Sequence, residues 1–440
     1  MQEICLSGKT LPQGRYQDTG KEAVIIFRDA NTRQVFAIDE PSVFQNILFL
    51  GSAGSGKTNI LNQIVPQIRG WDSGEDSVSL IFDTKGDYIQ HRGFFQPGDY
   101  IIGNSPQFRG RSVTWNIFDE VLADGDDPVD YEANAREIAH VLFEGRGSAT
   151  QPFFCNAARD TFAHTLIYFI RRSRDRGGEW TRNLHNAFLK QFLMTYGPED
   201  FVKFFSLYPD MRGLTAYFGD GKNNQALGVF GELRSMVSEC FQGVFAREPK
   251  NGNSFSVRQA VRKKEGRAIF IEYDLSVGQS MTPMYRLLVD LALKEALGGS
   301  DGRTHLFLDE LKLLPKVTHL QDALNFGRSK RLSVVAGIQN VDQIYSNYGE
   351  SLGREILEGF GSLIALKTSD HASREYVTQR FGPNLMAYRY HSAGNQPVDR
   401  EREGHTVEHW HQRALRQGQA VVGLVSQEEP FLFQFERDRF

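Results

Sequence analysis

The chain has 440 residues, 40% hydrophobic and 24% charged, enough to build two or three lobes with full cores. A net charge of −4 excludes bulk basicity as a route to nucleic acid, so any such contact is confined to a groove or pore. Three scattered cysteines, Cys5, Cys155 and Cys240, exclude a disulfide framework or a cysteine zinc site and fit a reducing cytoplasm.

The opening stretch, MQEICLSGKTLPQGRYQ, lacks the basic start and apolar run of a signal peptide. Residues 22–38 alternate around ANT and predict a hairpin decorating the main domain. NILFL (46–50) enters a glycine loop, and KTNILNQIVPQI follows at helical spacing. VSLIFD (78–83) predicts a second buried strand and DYIIGN (99–104) a third. From 128 to 250 apolar residues recur every three or four positions, which predicts an inserted all-helical lobe. Its most apolar stretch, FFCNAARDTFAHTLIYFI (153–170), is interrupted by Asn156, Arg159, Asp160 and His164 and cannot span a bilayer.

Strand texture returns in RAIFIEYD (267–274), THLFLDE (304–310), LSVVAGIQ (332–339) and SLIALKT (362–368). Helical stretches at 285–297 and 319–330 separate them, so a parallel sheet wrapped on both faces is expected. QAVVGLV and PFLFQFE predict a closing hairpin, and 389–404 reads as a flexible loop. The predicted fold class is α/β with an all-α insertion. Residues 1–127 and 251–440 form the two parts of the α/β domain, and 128–250 the insertion.

GSAGSGKT (51–58) satisfies G-x-x-x-x-G-K-[ST] between a strand and a helix. Gly51, Gly54 and Gly56 let the backbone curl so that N–H groups point inward and form an anion nest with the helix N-terminus. Ser52, Ala53, Ser55 and Asn59 complete the expected nucleotide-binding stretch. Lys57 should reach the β- and γ-phosphates, and Thr58 should offer its hydroxyl to Mg²⁺.

Asp309 and Glu310 close a strand at the carboxyl edge, where open α/β sheets place ligands. Asp309 is expected to hold Mg²⁺ through water and Glu310 to polarise the attacking water. A helix N-cap with a first-turn carboxylate has the same look. TKGD (84–87) mimics a guanine-specificity element but follows the phosphate loop too closely. ATP is therefore expected rather than GTP, with Asp83 or Asp87 near the γ-phosphate side. Gln339, ending the next strand, is placed to sense the γ-phosphate. Arg328, in GRSKR (327–331), stands far from its own phosphate site. It either reaches a neighbour's phosphate as an arginine finger or caps its helix.

Weaker signals remain. RRSRDR (171–176) and VRKK (261–264) are either phosphate-backbone contacts or solvated faces. His405, His409 and His411 match no fixed metal spacing, and Cys155 reads as packing.

Together LFLGSAGSGKT, LIFDTKGD, LFLDELKLLPKVTHLQDALNFGRSKRLSVVAGIQNVDQI and LIALKTSDHASREYVTQRFG resemble the conjugative coupling ATPases of type IV secretion. That superfamily includes the septal DNA pump and the archaeal end-processing translocases. The resemblance implies a RecA-like motor domain with an all-helical domain, and a homo-hexameric ring passing single-stranded or duplex DNA through its pore. It implies ATP and Mg²⁺ as cofactors, and a relaxase or secretion-channel protein as partner. It assigns the phosphate loop to 51–58, the Mg²⁺ and catalytic carboxylates to Asp309 and Glu310, a trans-acting finger to Arg328 and a sensor to Gln339. Typical members carry N-terminal membrane helices, which this sequence does not show. The expected location is the cytoplasm, or the periphery of the inner membrane through a partner. Two other readings stand beside this one: an end-processing helicase in repair or phage defence, and an ATP-gated adaptor that moves no DNA.

Overall fold

The computed structural model describes residues 2–12, 23–90, 94–146, 152–219, 221, 224–276, 278–299, 301–391 and 397–437. In chain order its strands begin with β1 (Gln2–Ser7), β2 (Ala23–Arg28), β3 (Val35–Asp39), β4 (Ile47–Leu50) and β5 (Ser77–Asp83). β6 (Tyr100–Ile102), β7 (Arg267–Glu272), β8 (Arg303–Leu308), β9 (Leu332–Ile338) and β10 (Ser362–Leu366) follow. The last four are β11 (Pro383–His391), β12 (Pro397–His405), β13 (Gln419–Gly423) and β14 (Phe431–Gln434).

Nine of these form one sheet in the order β14-β13-β10-β4-β9-β8-β5-β7-β6. From β10 to β6 every neighbouring pair is parallel, while β13 runs against β10 and against β14. Parallel strands need helical crossovers that cover both faces, which is why these strands read as unbroken apolar runs.

The crossovers supply α1 (Lys57–Trp71) after β4. Between β6 and β7 the lobe contributes α2 (Pro128–Phe143), α3 (Pro152–Arg176), α4 (Asn186–Thr195) and α5 (Asn224–Cys240). Then come α6 (Val257–Lys263), α7 (Gly278–Leu297), α8 (Leu320–Phe326), α9 (His371–Phe381) and α10 (His409–Ala414). The result is a mostly parallel α/β sheet of RecA-like type with an all-helical insertion. No described helix is long and apolar enough to cross a membrane.

Alternation along each strand sorts its residues between two cores. Ile47, Phe49, Phe307, Val335 and Ile364 face α1 and the β2–β3 hairpin. Leu48, Leu50, Leu306, Leu308 and Val334 share a core with α7 and the helical lobe. The lobe is thus fused to the sheet through common apolar packing, with Tyr285 of α7 against Phe82 on one side and Phe245 on the other.

One expectation is corrected. Residues 389–391 and 397–404 belong to β11 and β12, long antiparallel strands of a separate three-stranded sheet whose third member is β1. The polar VDREREG of β12 reads as loop because its sequence has no apolar alternation; cross-strand backbone pairing with β11 makes it a strand. The tip of the expected loop, 392–396, lies outside the described residues.

Candidate functional site

Segments leaving the carboxyl ends of β4, β5, β7, β8 and β9 converge on a cleft of 470 Å³. It is lined by Ser52, Ala53, Gly54, Gly56, Lys57, Thr58 and Asn59 from the phosphate loop and by Asp309, Glu310 and Gln339 from the ends of β8 and β9. Gly51 and Ser55 sit behind this wall. A Cβ on Gly51 would stand 2.6 Å from the Ser55 hydroxyl and 2.8 Å from Leu366, so glycine alone lets the loop pass so near β10. Gly56 has φ 117°, which presents its N–H at the start of α1.

Within the cleft the Lys57 ammonium donates to the Gly51 carbonyl. Burial draws the Lys57 pKa below its ordinary value, while Glu310 and Asp309 oppose that shift. The Thr58 hydroxyl lies 3.4 and 3.5 Å from the two oxygens of Asp309. Gln339 Nε2 donates to Glu310 Oε2 at 2.7 Å, and the other Glu310 oxygen is buried without a partner among the described residues. Burial raises both carboxyls above the usual carboxylate range. A hydroxyl beside a carboxylate is the hard-oxygen donor set that suits Mg²⁺. An orphaned carboxylate oxygen is an acceptor for water.

Arg328 is not among the cleft residues. It is exposed in a short 3₁₀ turn, Gly327–Lys330, that leads into β9. That turn lies at the amino ends of the strands, opposite the phosphate loop. The seven residues of β9 separate the two ends, roughly 20 Å at ~3.3 Å per residue. The Arg328 guanidinium has no hydrogen bond or ion pair among the described residues.

Six lining residues escaped the sequence reading: Thr84 and Lys85 after β5, Leu275 after β7, Lys312 and Leu313 after β8, and Gln417. The first two were within reach, since they end a strand at the edge where ligands sit. Gln417 carries no local signal. It arrives from the turn before β13, where its amide donates to the Gly54 carbonyl at 3.0 Å and Gly418 N–H donates to Ser55 O at 2.9 Å.

Neither nearby aspartate lines the cleft. Asp83 turns its carboxylate into its own loop, accepting from the N–H groups of Lys85, Gly86, Tyr88 and Ile89. Asp87 is exposed.

Three arginines of the basic clusters are engaged in ion pairs within the chain. Arg171 pairs with Glu132 and Asp210, Arg174 pairs with Asp126, and Arg262 pairs with Asp124 and Glu295. The three histidines are not gathered: His409 meets Glu375 at 3.1 Å, and His411 Nδ1 accepts from the Glu408 N–H. Cys155 is buried in the lobe core, where burial raises its thiol pKa.

Comparison with known proteins places this geometry. The coupling protein TraD of Escherichia coli K12 is 21% identical over 371 residues, 81% of this chain and 47% of the relative. The chain therefore spans about half the length of that curated relative. The unbound conjugative coupling protein TrwBdeltaN70 superposes with a TM-score of 0.77 at 19% identity, covering 99% of this chain and 95% of that one. TrwB in complex with the non-hydrolysable ATP analogue ADPNP gives 0.73 with the same identity and coverage. VirB4 of Thermoanaerobacter pseudethanolicus gives 0.58 at 12% identity over 96% of this chain and 98% of that one. The model of the type IV secretion-system coupling protein DNA-binding domain matches residues 35–396, and the chain belongs to that family.

Proposed function

We propose that this chain is an ATP-hydrolysing motor that moves DNA in the manner of a conjugative coupling protein, working as a ring, taken to be a hexamer. The observation that carries the reading is the meeting of Lys57, Thr58, Asp309, Glu310 and Gln339 in one cleft of a chain whose family is defined by DNA binding. Solved relatives were captured with ADPNP and with ADP and Mg²⁺. Thr58 and Asp309 are the residues to hold Mg²⁺, which would neutralise phosphate charge when bound. The loop N–H groups and Lys57 bind the phosphates. Glu310, held by Gln339, offers its free oxygen to the attacking water, and Gln339 senses whether the γ-phosphate is there.

Arg328 completes a neighbour's site rather than its own. An arginine side chain is far shorter than the separation along β9, and Phe326 beside it is 61% exposed. An uncovered aromatic next to an unpaired guanidinium is the composition of a subunit contact. Relaxase or secretion-channel proteins are the proposed partners, and they supply any attachment to the inner membrane.

The test compares Lys57→Ala, Arg328→Ala and their mixture for ATPase activity with and without DNA. Each variant alone should be inactive, and mixing should restore part of the hydrolysis because an intact cradle then meets an intact finger. An active Arg328→Ala protein, with no rescue on mixing, removes the finger. Hydrolysis indifferent to both duplex and single-stranded DNA favours the adaptor over the motor.

A further inference from the structure

The chain that leaves Glu310 runs straight toward the helical lobe. Residues 311–313 form a single 3₁₀ turn, in which Lys312 and Leu313 line the nucleotide cleft. Further on the backbone is pinned at nearly every step. Asn347 donates to Lys312 O at 3.1 Å, and the hydroxyl of the half-buried Tyr348 donates to Leu314 O at 3.1 Å and accepts from Val317 N–H at 3.3 Å. Lys316 has φ 58°, a left-handed conformation that a side chain resists unless its surroundings impose it. Its ammonium meets Glu144, the residue closing α2, at 3.2 Å. His319 N–H donates to Asp290 of α7 at 2.8 Å, and its ring stands 3.8 Å from Glu137 of α2.

One buried cation holds the two parts together. Arg286 of α7 is 3% exposed, and its guanidinium donates to the carbonyls of Val141 and Glu144 at the end of α2. Val141 O also accepts from the capping Glu144 N–H at 3.4 Å, so the guanidinium closes a helix end that its own backbone satisfies only in part. The same guanidinium lies 3.5 Å from the carbonyl of Pro315.

We propose that residues 311–319 are a strap tying Glu310 to the C-terminal end of α2, with Arg286 as the positioning residue that fixes it. Movement of the helical lobe then shifts the carboxylate that activates water, and the state of the cleft is passed back to the lobe. The inference rests on the hydrolysis reading of the cleft. Arg286 touches no reacting atom; it acts through the strap backbone.

The test uses the exposed end of the strap, where substitution is least disruptive to folding. Lys316→Glu should lower kcat for ATP about tenfold with KM unchanged, because misplacing a catalytic group harms turnover more than binding. Lys316→Glu combined with Glu144→Lys should restore kcat by rebuilding the pair with its charges exchanged. Arg286→Lys should keep partial kcat where Arg286→Met loses it. Unaltered kcat in Lys316→Glu, or no recovery in the double variant, overturns the proposal.

Hydrogen exchange without nucleotide separates this failure from failure of the site reading. Lys316→Glu should speed exchange at both 311–314 and 141–146, and the double variant should reverse it. Exchange unchanged at 311–314 sinks the strap even when hydrolysis is normal. An unsubstituted chain that never hydrolyses ATP sinks the reading of the cleft, and the exchange result still decides the strap.

Discussion

The two oxygens of Glu310 have different surroundings: one is held by Gln339 at 2.7 Å, and the other is buried with no partner among the described residues. On the proposed reading, the oxygen left open takes the proton of the attacking water. Replacing it with the isosteric amide in Glu310→Gln keeps the Gln339 contact but removes the basic oxygen. The expected result is a kcat loss of about 10²–10⁴-fold with ATP affinity retained. Steady-state rates and a nucleotide-binding titration measure both halves, and a variant turning over at the unsubstituted rate refutes the assignment. At this scale the sequence was most legible for the phosphate loop, because its chemistry is packed into consecutive residues. Lys85 and Gln417 were less so, since each becomes a wall of the cleft only when distant strands are laid side by side.

Among elements, the seam between α2 and α7 carries the titratable cluster. His319, Asp290, Glu137 and Lys294 meet there, with the Lys294 ammonium on Glu137. That ammonium makes the cluster an ion-pair network rather than a cation site, although Glu137, Asp290 and His319 form the one metal-like grouping among the described residues. Hydrogen bonding to Asp290 raises the His319 pKa, against the effect of burial. A histidine whose folded pKa is raised contributes stability that is fully present below its unfolded value, about 6.5, and lost as pH climbs through the folded value. The unsubstituted chain should therefore lose more stability than His319→Gln between pH 6 and pH 9, a window of about three units spanning both values. Urea midpoints at the two pH values report it, and equal losses would remove His319 from the seam's pH response. Strands of the main sheet were readable because burial on both faces makes them unbroken apolar runs. β12 was not, and neither was the internal use of RRSRDR, whose partners Glu132 and Asp210 come from other elements.

For the molecule as a whole, the question is whether lobe and sheet are separable. Their core is continuous, and a charged cluster at the entrance to the lobe adds to it, with Asn134 of α2 donating to Asp124 at 3.0 Å. Arg258 of α6, with a side chain 4% exposed, binds Asp124 at 2.6 Å and Glu295 at 3.1 Å. Arg262 joins the same two carboxylates. Removing the central cation in Arg258→Ala leaves the buried Glu295 with Arg262 alone and should cost about 1–3 kcal/mol. Calorimetry and urea unfolding measure that loss, and a loss below about 1 kcal/mol, the worth of an exposed ion pair, would show the cluster to be ornamental. The helices of the 128–250 stretch were readable from periodicity, but this fusion was not, because both cores use the same residue types and only the fold brings them into contact.

The strand order has a further consequence for how the protein is made. β4, which delivers the phosphate loop, has β9 and β10 as its neighbours, and both lie beyond residue 330. A nascent chain that has left the ribosome through β4 must then wait for nearly three hundred more residues, roughly 15–60 s at ~5–20 residues per second. Throughout that interval an apolar strand with no lateral partner is exposed to chaperones and to other emerging copies, and the cradle for the nucleotide has no frame.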